Sequence, residues 1–387
     1  MRVLSLCLTA FVIGVFSLYR WRSGRSGRSR PRQEHLFGCD LLTLTVVERL
    51  PLRDRGLPIL AFIVWVAVSG SVGIFLPANV KSDCFSDDST VFSALIYTLI
   101  VPALLAAYVA LLVAAQKFLD PEKSRDLGIV RSPHVHSRLW SSGYQLTLIV
   151  ATLIIQYLAI GSVEAFSVAN NPWVEKGSSG PGVLNWAGMI YYSLRGLDAY
   201  FGLGLLGSIT SLWWVLTQRV KCERPEECFD RSFSLRGEVR GVGTALAFFT
   251  ILAPLATMAQ GIVLKLEIYD AAPARRPQTY MESTWLFWAL STLVATILAV
   301  ACIHWLHKLR IQGLQRIETK EIESIERVLR VENQESKFWD ARSKLREALD
   351  RADTSPWPRG AYVTALLGAV VQLLTLAATF VKVIPPR

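Results

Sequence analysis

Charge is scarce in this chain. Asp, Glu, Lys and Arg make up 19% of its 387 residues, against roughly a quarter in ordinary soluble proteins. Catalytic signatures are missing too. There is no G-x-S-x-G, no G-x-x-x-x-G-K-[ST], no H-E-x-x-H and no EF-hand loop, which removes the best-marked hydrolase, nucleotide, zinc-protease and calcium readings. No segment alternates with period two as a membrane barrel strand does. No internal duplication, the mark of many transporters, is visible. Acidic residues are absent from the first 33 positions, and Cys occurs only six times.

What is present is apolar. Hydrophobic residues reach 52%, with 12 Trp and a net charge of +10. That content excludes intrinsic disorder. Because the apolar residues lie in long runs, it also excludes a compact nucleic-acid-binding domain, and no nucleic-acid partner is expected. A helix needs about 20 mostly apolar residues to cross the hydrocarbon core. Seven stretches meet that test: 57–77, 91–115, 145–166, 186–217, 241–264, 284–306 and 361–381. An eighth, 3–19, is marginal. Pro102 and Pro254 fall inside spans and predict kinks there.

The basic residues follow the same plan. Lys+Arg counts in the successive loops are 9 (20–56), 1 (78–90), 5 (116–144), 1 (167–185), 6 (218–240), 3 (265–283) and 12 (307–360). The positive-inside rule places the high-count loops in the cytoplasm, and the alternation requires each stretch to cross once. The 32-residue stretch 186–217 then counts as one crossing, its surplus read as an interfacial segment before a membrane helix starting near Leu197. The arginines after residue 19 hold the following segment inside, which puts the N-terminus outside. The Ser-Gly-Arg repeat at 23–29 reads as low complexity. Of the loop cysteines only Cys84 is outside, so no intramolecular bridge is expected there.

Residues 307–360 are the only sizeable polar segment. Apolar residues recur there every eleven positions, as in Ile303, Leu314 and Ile325, or Leu306, Ile317 and Val328. That period is close to the natural helix period and reads as a straight, coiled-coil-like helix. Pairs such as Glu323–Arg327 and Asp340–Lys344 support it, each by about 0.2–0.5 kcal/mol. A second stretch, 338–349, turns back so that the chain can re-enter at 361. The expectation is a cytoplasmic helical hairpin. Its bland reading is a self-covered connector, and its functional reading is a docking element for a second copy or a cytoplasmic partner.

Charges inside spans are costly and are functional candidates by default. Glu164 lies near the outer end of its span, and Arg195 and Asp198 lie in the outer half of the next, on one helix face. The expected constellation is an outer-leaflet cluster of Glu164, Arg195 and Asp198 lining a path for an ion or polar solute, with Tyr191, Tyr192 and Tyr200 adding hydroxyls. The bland alternative is a pair that only satisfies its own charges. Gln156, Gln260 and Gln372 sit near the centres of three spans, as interhelical glue or as a polar pathway. Gly202, Gly204 and Gly207 spell G-x-G-x-x-G, but inside an apolar span, where dinucleotide binding does not apply. Gly204–Ser208 and Gly207–Ser211 instead read as small-residue contacts for close helix packing. His134, His136, Cys222 and Cys228 offer zinc-ligand types at unsuitable spacings, so no metal and no cofactor is expected.

These observations imply an all-α polytopic bundle of seven or eight spans in the plasma (cell inner) membrane. Residues 1–56 hold the marginal span and a basic segment, 57–306 six spans, 307–360 the cytoplasmic hairpin, and 361–387 the last span and an outside tail. The favoured function is a permease or channel for an ion or small polar solute. The alternative is a membrane-embedded sensor or scaffold acting through 307–360. Without a nucleophile and base paired within the spans, an enzyme is the least favoured class.

Overall fold

A computed structural model describes residues 1–25, 42–43, 56–76, 94–118, 138–166, 173–175, 182–220, 236–265 and 289–308, and short helical stretches at 322–323, 339–344, 347, 363, 366–371 and 373–374. Almost everything described is helical. The helices are α1 (Arg2–Arg25), α2 (Gly56–Gly70, continued by a π-helical turn Ser71–Phe75), α3 (a π-helical turn Ile96–Ile100 leading into Val101–Phe118), α4 (Arg138–Phe166), α5 (Trp186–Val220), α6 (Arg236–Lys265) and α7 (Ala289–Lys308). Among the described residues, four segments are long and apolar enough to cross a membrane: Gly56–Phe75, Ile96–Ala115, Gly143–Gly161 and Ala289–Lys308. Arg2–Val15 and Gly241–Thr257 are shorter apolar helices.

Side-chain contacts fix the direction of the helices. Arg2 meets Glu164 and Ser5 meets Gln156, so α1 and α4 run antiparallel. Ser5 and Thr9 meet successive residues of α5 around Met189 and Ser193, so α1 and α5 run parallel. On α2, Trp65 meets Asp198 and the segment around Val72 and Leu76 packs near Tyr191 and Tyr192, so α2 opposes α5. Gly70 faces Thr98, and Gly241 faces Ala114. Thr257 bonds Thr292, and Cys302 approaches the Ile209 carbonyl. The described helices therefore alternate in direction along the chain.

The solvation pattern is that of a bundle with an apolar coat. Val150, Ile154 and Leu158 form an exposed row on α4, and Ile59, Ile63 and Leu60 another on α2, while Ser5, Thr9, Gln156, Ser208, Ser211 and Thr250 are buried. A soluble protein does not expose a continuous apolar face of this size. The main core joins Leu105, Tyr108, Leu112, Tyr200, Leu212, Leu246 and Ile303 from α3, α5, α6 and α7.

Three features depart from the sequence reading. A two-stranded antiparallel ribbon, β1 (Val174–Glu175) and β2 (Val183–Leu184), caps the α4–α5 connection. Next, α5 is a single 35-residue helix, about 52 Å at 1.5 Å per residue, without a break at Leu197. Its start is fixed by Asn185, whose Oδ1 accepts the Gly188 amide at 2.7 Å as an N-cap. Finally, the irregularity expected at Pro102 is a π-helical turn just before it, closed by the Val101 amide on the Ile96 carbonyl. Most of the 307–360 hairpin lies outside the described residues. Within it, 339–344 is helical and Lys344 bonds Asp340 at 2.8 Å.

Candidate functional site

Glu164, Arg195 and Asp198 take part in two separate ion pairs. Glu164, at the end of α4, accepts from Arg2 on α1, with Nε at 2.9 Å. Its other oxygen accepts the Leu184 amide of β2 at 3.2 Å, and its own carbonyl accepts the Gly182 amide at 2.9 Å. Arg2 also stacks 5.1 Å from the Tyr157 ring. Glu164 thus ties three elements, α1, α4 and the ribbon, at one end of the bundle.

Arg195 and Asp198 pair with each other along one face of α5, Nη1 to Oδ2 at 2.6 Å. Their side chains are only 9% and 10% exposed. The other Asp198 oxygen accepts the Trp65 indole N–H at 2.8 Å, from α2. The guanidinium carbon lies 3.7 Å from the centre of the Tyr97 ring on α3 and 4.7 Å from that of Tyr191. Those two rings stand nearly perpendicular, at 87°, and Trp173 stacks flat on Tyr191 at 4.1 Å. Three helices, α2, α3 and α5, therefore converge on one buried ion pair.

The pair is incomplete on one side. Arg195 Nε and Nη2 are buried and donate to no acceptor. Aromatic faces attract the cation, but they offer no lone pairs. Asp198, by contrast, has a donor on each oxygen. The asymmetry leaves two parallel N–H groups in a low-dielectric interior, where unmade hydrogen bonds are costly.

The expected polar midpoints divide. Gln156 is buried, and its Nε2 donates to Ser5 Oγ at 3.0 Å, which lies 3.0 Å from Ser193 Oγ. Thr9 Oγ1 reaches the Ser193 carbonyl at 3.3 Å. This seam stitches α1, α4 and α5. Gly196 permits it: a Cβ there would lie 2.6 Å from Gln156 Oε1 and 3.0 Å from Thr9 Cγ2. The Gln260 side chain and Gln372 lie outside the described residues, as do His134, His136, Cys222 and Cys228. Among the described residues no group of three His, Cys, Asp or Glu side chains is placed to hold a metal.

Ser208 and Ser211 are fully buried on α5, and the backbone between them, at Ile209, lies 3.7 Å from Cys302 Sγ of α7. Gly204 and Gly207 precede them on the same helix. Tyr200 directs its hydroxyl to Gln145 at 3.3 Å, away from the ion pair.

Trp65, Tyr97 and Arg2 escape a search for intramembrane charge. Trp65 carries a usable signal, since Trp favours interfaces and this one stands ten residues into an apolar helix. Arg2 looks like a topology determinant, and Tyr97 has no distinguishing pattern. Comparison of the chain with protein-family models, curated proteins and solved structures finds no match.

Proposed function

We propose that this chain is a polytopic membrane protein that passes a small ion or polar solute through its helical bundle, as a permease or channel. The supporting observation is the Arg195–Asp198 pair, nine-tenths buried, with one side of the guanidinium unmatched. A purely structural pair minimises unmatched donors, because each weakens the fold. An interior that must bind and release a polar guest keeps some. The topology that goes with this reading has seven or eight crossings in the plasma membrane, with the basic loops and 307–360 cytoplasmic. The alternating helix directions support it, and so does the proximity of Arg2, Glu164 and Leu184 at one end.

The test is flux. Full-length protein reconstituted in liposomes is expected to move at least one of a panel of labelled ions and small solutes, and Arg195→Gln to abolish that movement. Protein that is folded and correctly inserted but moves none of them refutes the proposal.

The second reading is a sensor or scaffold working through 307–360. It is favoured by Trp339, which is 61% exposed with Arg342 5.4 Å from its ring, an aromatic–arginine pair typical of docking surfaces. Deleting 311–350 separates the two readings. Flux that survives the deletion supports the permease, and flux-free capture of a cytoplasmic partner that the deletion abolishes supports the scaffold.

A further inference from the structure

We infer that the bundle binds a monocarboxylate on the Nε–Nη2 edge of Arg195, in the corner between Tyr97 and Tyr191. The inference rests on the reading that the bundle interior handles a small polar solute, and it names the class of that solute.

The geometry of the guanidinium supplies the first argument. Asp198 occupies Nη1 alone, at 2.6 Å. The unmatched Nε and Nη2 groups lie on the side edge of the planar fork. Their N–H bonds point the same way, at the spacing of the two oxygens of one carboxylate. A single acceptor such as a hydroxyl reaches both only through bent, weaker bonds. A cation satisfies neither.

Charge supplies the second. Arg195 and Asp198 are jointly neutral, so one added negative charge leaves the site at minus one. In a low-dielectric interior a second negative charge is much harder to hold, which disfavours phosphate and dicarboxylates. Surroundings supply the third. Tyr97 and Tyr191 present ring surface to the guanidinium, and Trp173 backs Tyr191, surroundings suited to the apolar body of an organic acid rather than to a further charged oxygen.

The site is also held in register and given a means of opening. Trp65 fixes the Asp198 carboxylate through its indole N–H, and Asp198 in turn orients the fork. Tyr97 sits in the π-helical turn Ile96–Ile100, where the helix carries one residue more than an α-helical turn. Such turns shift register readily and recur at functional sites. Moving Tyr97 uncovers one face of the guanidinium.

The experiment uses detergent-purified full-length protein and sodium benzoate, with sodium phosphate and sodium chloride at matched ionic strength. Benzoate is expected to raise the unfolding midpoint saturably, chloride not at all, and phosphate less than benzoate. Arg195→Lys keeps the charge but not the fork. Its apparent affinity for benzoate is expected to fall about tenfold or more, the scale of one lost charge-assisted hydrogen bond. Because that variant can fail to fold, a second measurement uses the unaltered chain. Phenylglyoxal labelling at Arg195, read by peptide mass spectrometry, is expected to drop when benzoate is present and not when chloride is.

The proposal is overturned by the absence of a saturable benzoate shift, by an equal shift in folded Arg195→Lys, or by phosphate stabilising more than benzoate. It is overturned equally by Arg195 labelling that benzoate leaves unchanged, or by no labelling at all, since an edge no solute reaches binds none. Benzoate binding without any solute flux refutes the transport reading and leaves the site standing. Cation flux without benzoate binding does the reverse.

Discussion

Gly368 closes over the carbonyl oxygen of Thr250, where a Cβ would come within 2.4 Å. That carbonyl is the one that residue 254 would hydrogen-bond in a regular helix, and residue 254 is Pro, which has no N–H. The proline in α6 thus opens a backbone acceptor, and a residue of the last apolar segment with no side chain seats against it. A Cα–H to carbonyl contact suits such an approach and contributes at most about 1 kcal/mol. Shape matters more here, because association of helices in lipid depends on close backbone contact.

Replacing Gly368 by Val is therefore expected to destabilise the protein by roughly 1–3 kcal/mol through overpacking. The neighbouring change Val370→Leu, at an exposed position, is expected to be neutral. Thermal unfolding of both variants in detergent checks this, and equal midpoints would place the last segment elsewhere.

Gly196 and Gly188 should respond differently to Ala. At Gly196 the obstacle is the end of the Gln156 side chain, 2.6 Å from the added Cβ; at Gly188 it is the Trp173 carbonyl oxygen, at 2.3 Å. A side chain can be shortened and a backbone cannot. Gly196→Ala is expected to be destabilising and to be partly rescued by Gln156→Ala. Gly188→Ala should find no such suppressor. A suppressor analysis by expression level and unfolding midpoint reads both.

Asp198 separates structure from function. Asp198→Ala leaves the Arg195 charge buried and unpaired, which typically costs about 3–5 kcal/mol. The double change Arg195→Met, Asp198→Leu removes both charges and is expected to recover most of that stability. If the proposed function holds, the double variant folds yet shows no flux. A double variant that transports normally would make the pair structural only.

Arg2 and Glu164 should couple. Their side chains are 32% and 13% exposed, so water screens the pair in part and its contribution is smaller than that of a fully buried one. In a double-mutant cycle with Arg2→Met and Glu164→Gln, the interaction energy is expected near 0.5–2 kcal/mol. Additive losses would mean that α1 is held by the Ser5–Gln156–Ser193 seam alone.

Much of the architecture was legible in the chain. Residues 57–77 and 145–166 become α2 and the greater part of α4, because about 20 apolar residues in lipid have to be helical to bond their own backbone. Arg195 and Asp198 could be paired on paper, since a spacing of three puts both on one face of any helix. These are local consequences of hydrophobicity and helical period.

Tertiary structure alone decided the partners. Glu164 has its ion-pair partner 162 positions away at Arg2, and Asp198 has Trp65 at a separation of 133. Which helix lies beside which depends on where small residues such as Gly196 and Gly368 let backbones approach, and periodicity carries no record of that. The sequence by itself determined that charges would be trapped among apolar helices. Only the packing decided that Asp198 would be fully satisfied while Arg195 kept one edge open, because hydrogen bonding between helices is settled by angstroms of approach and not by composition.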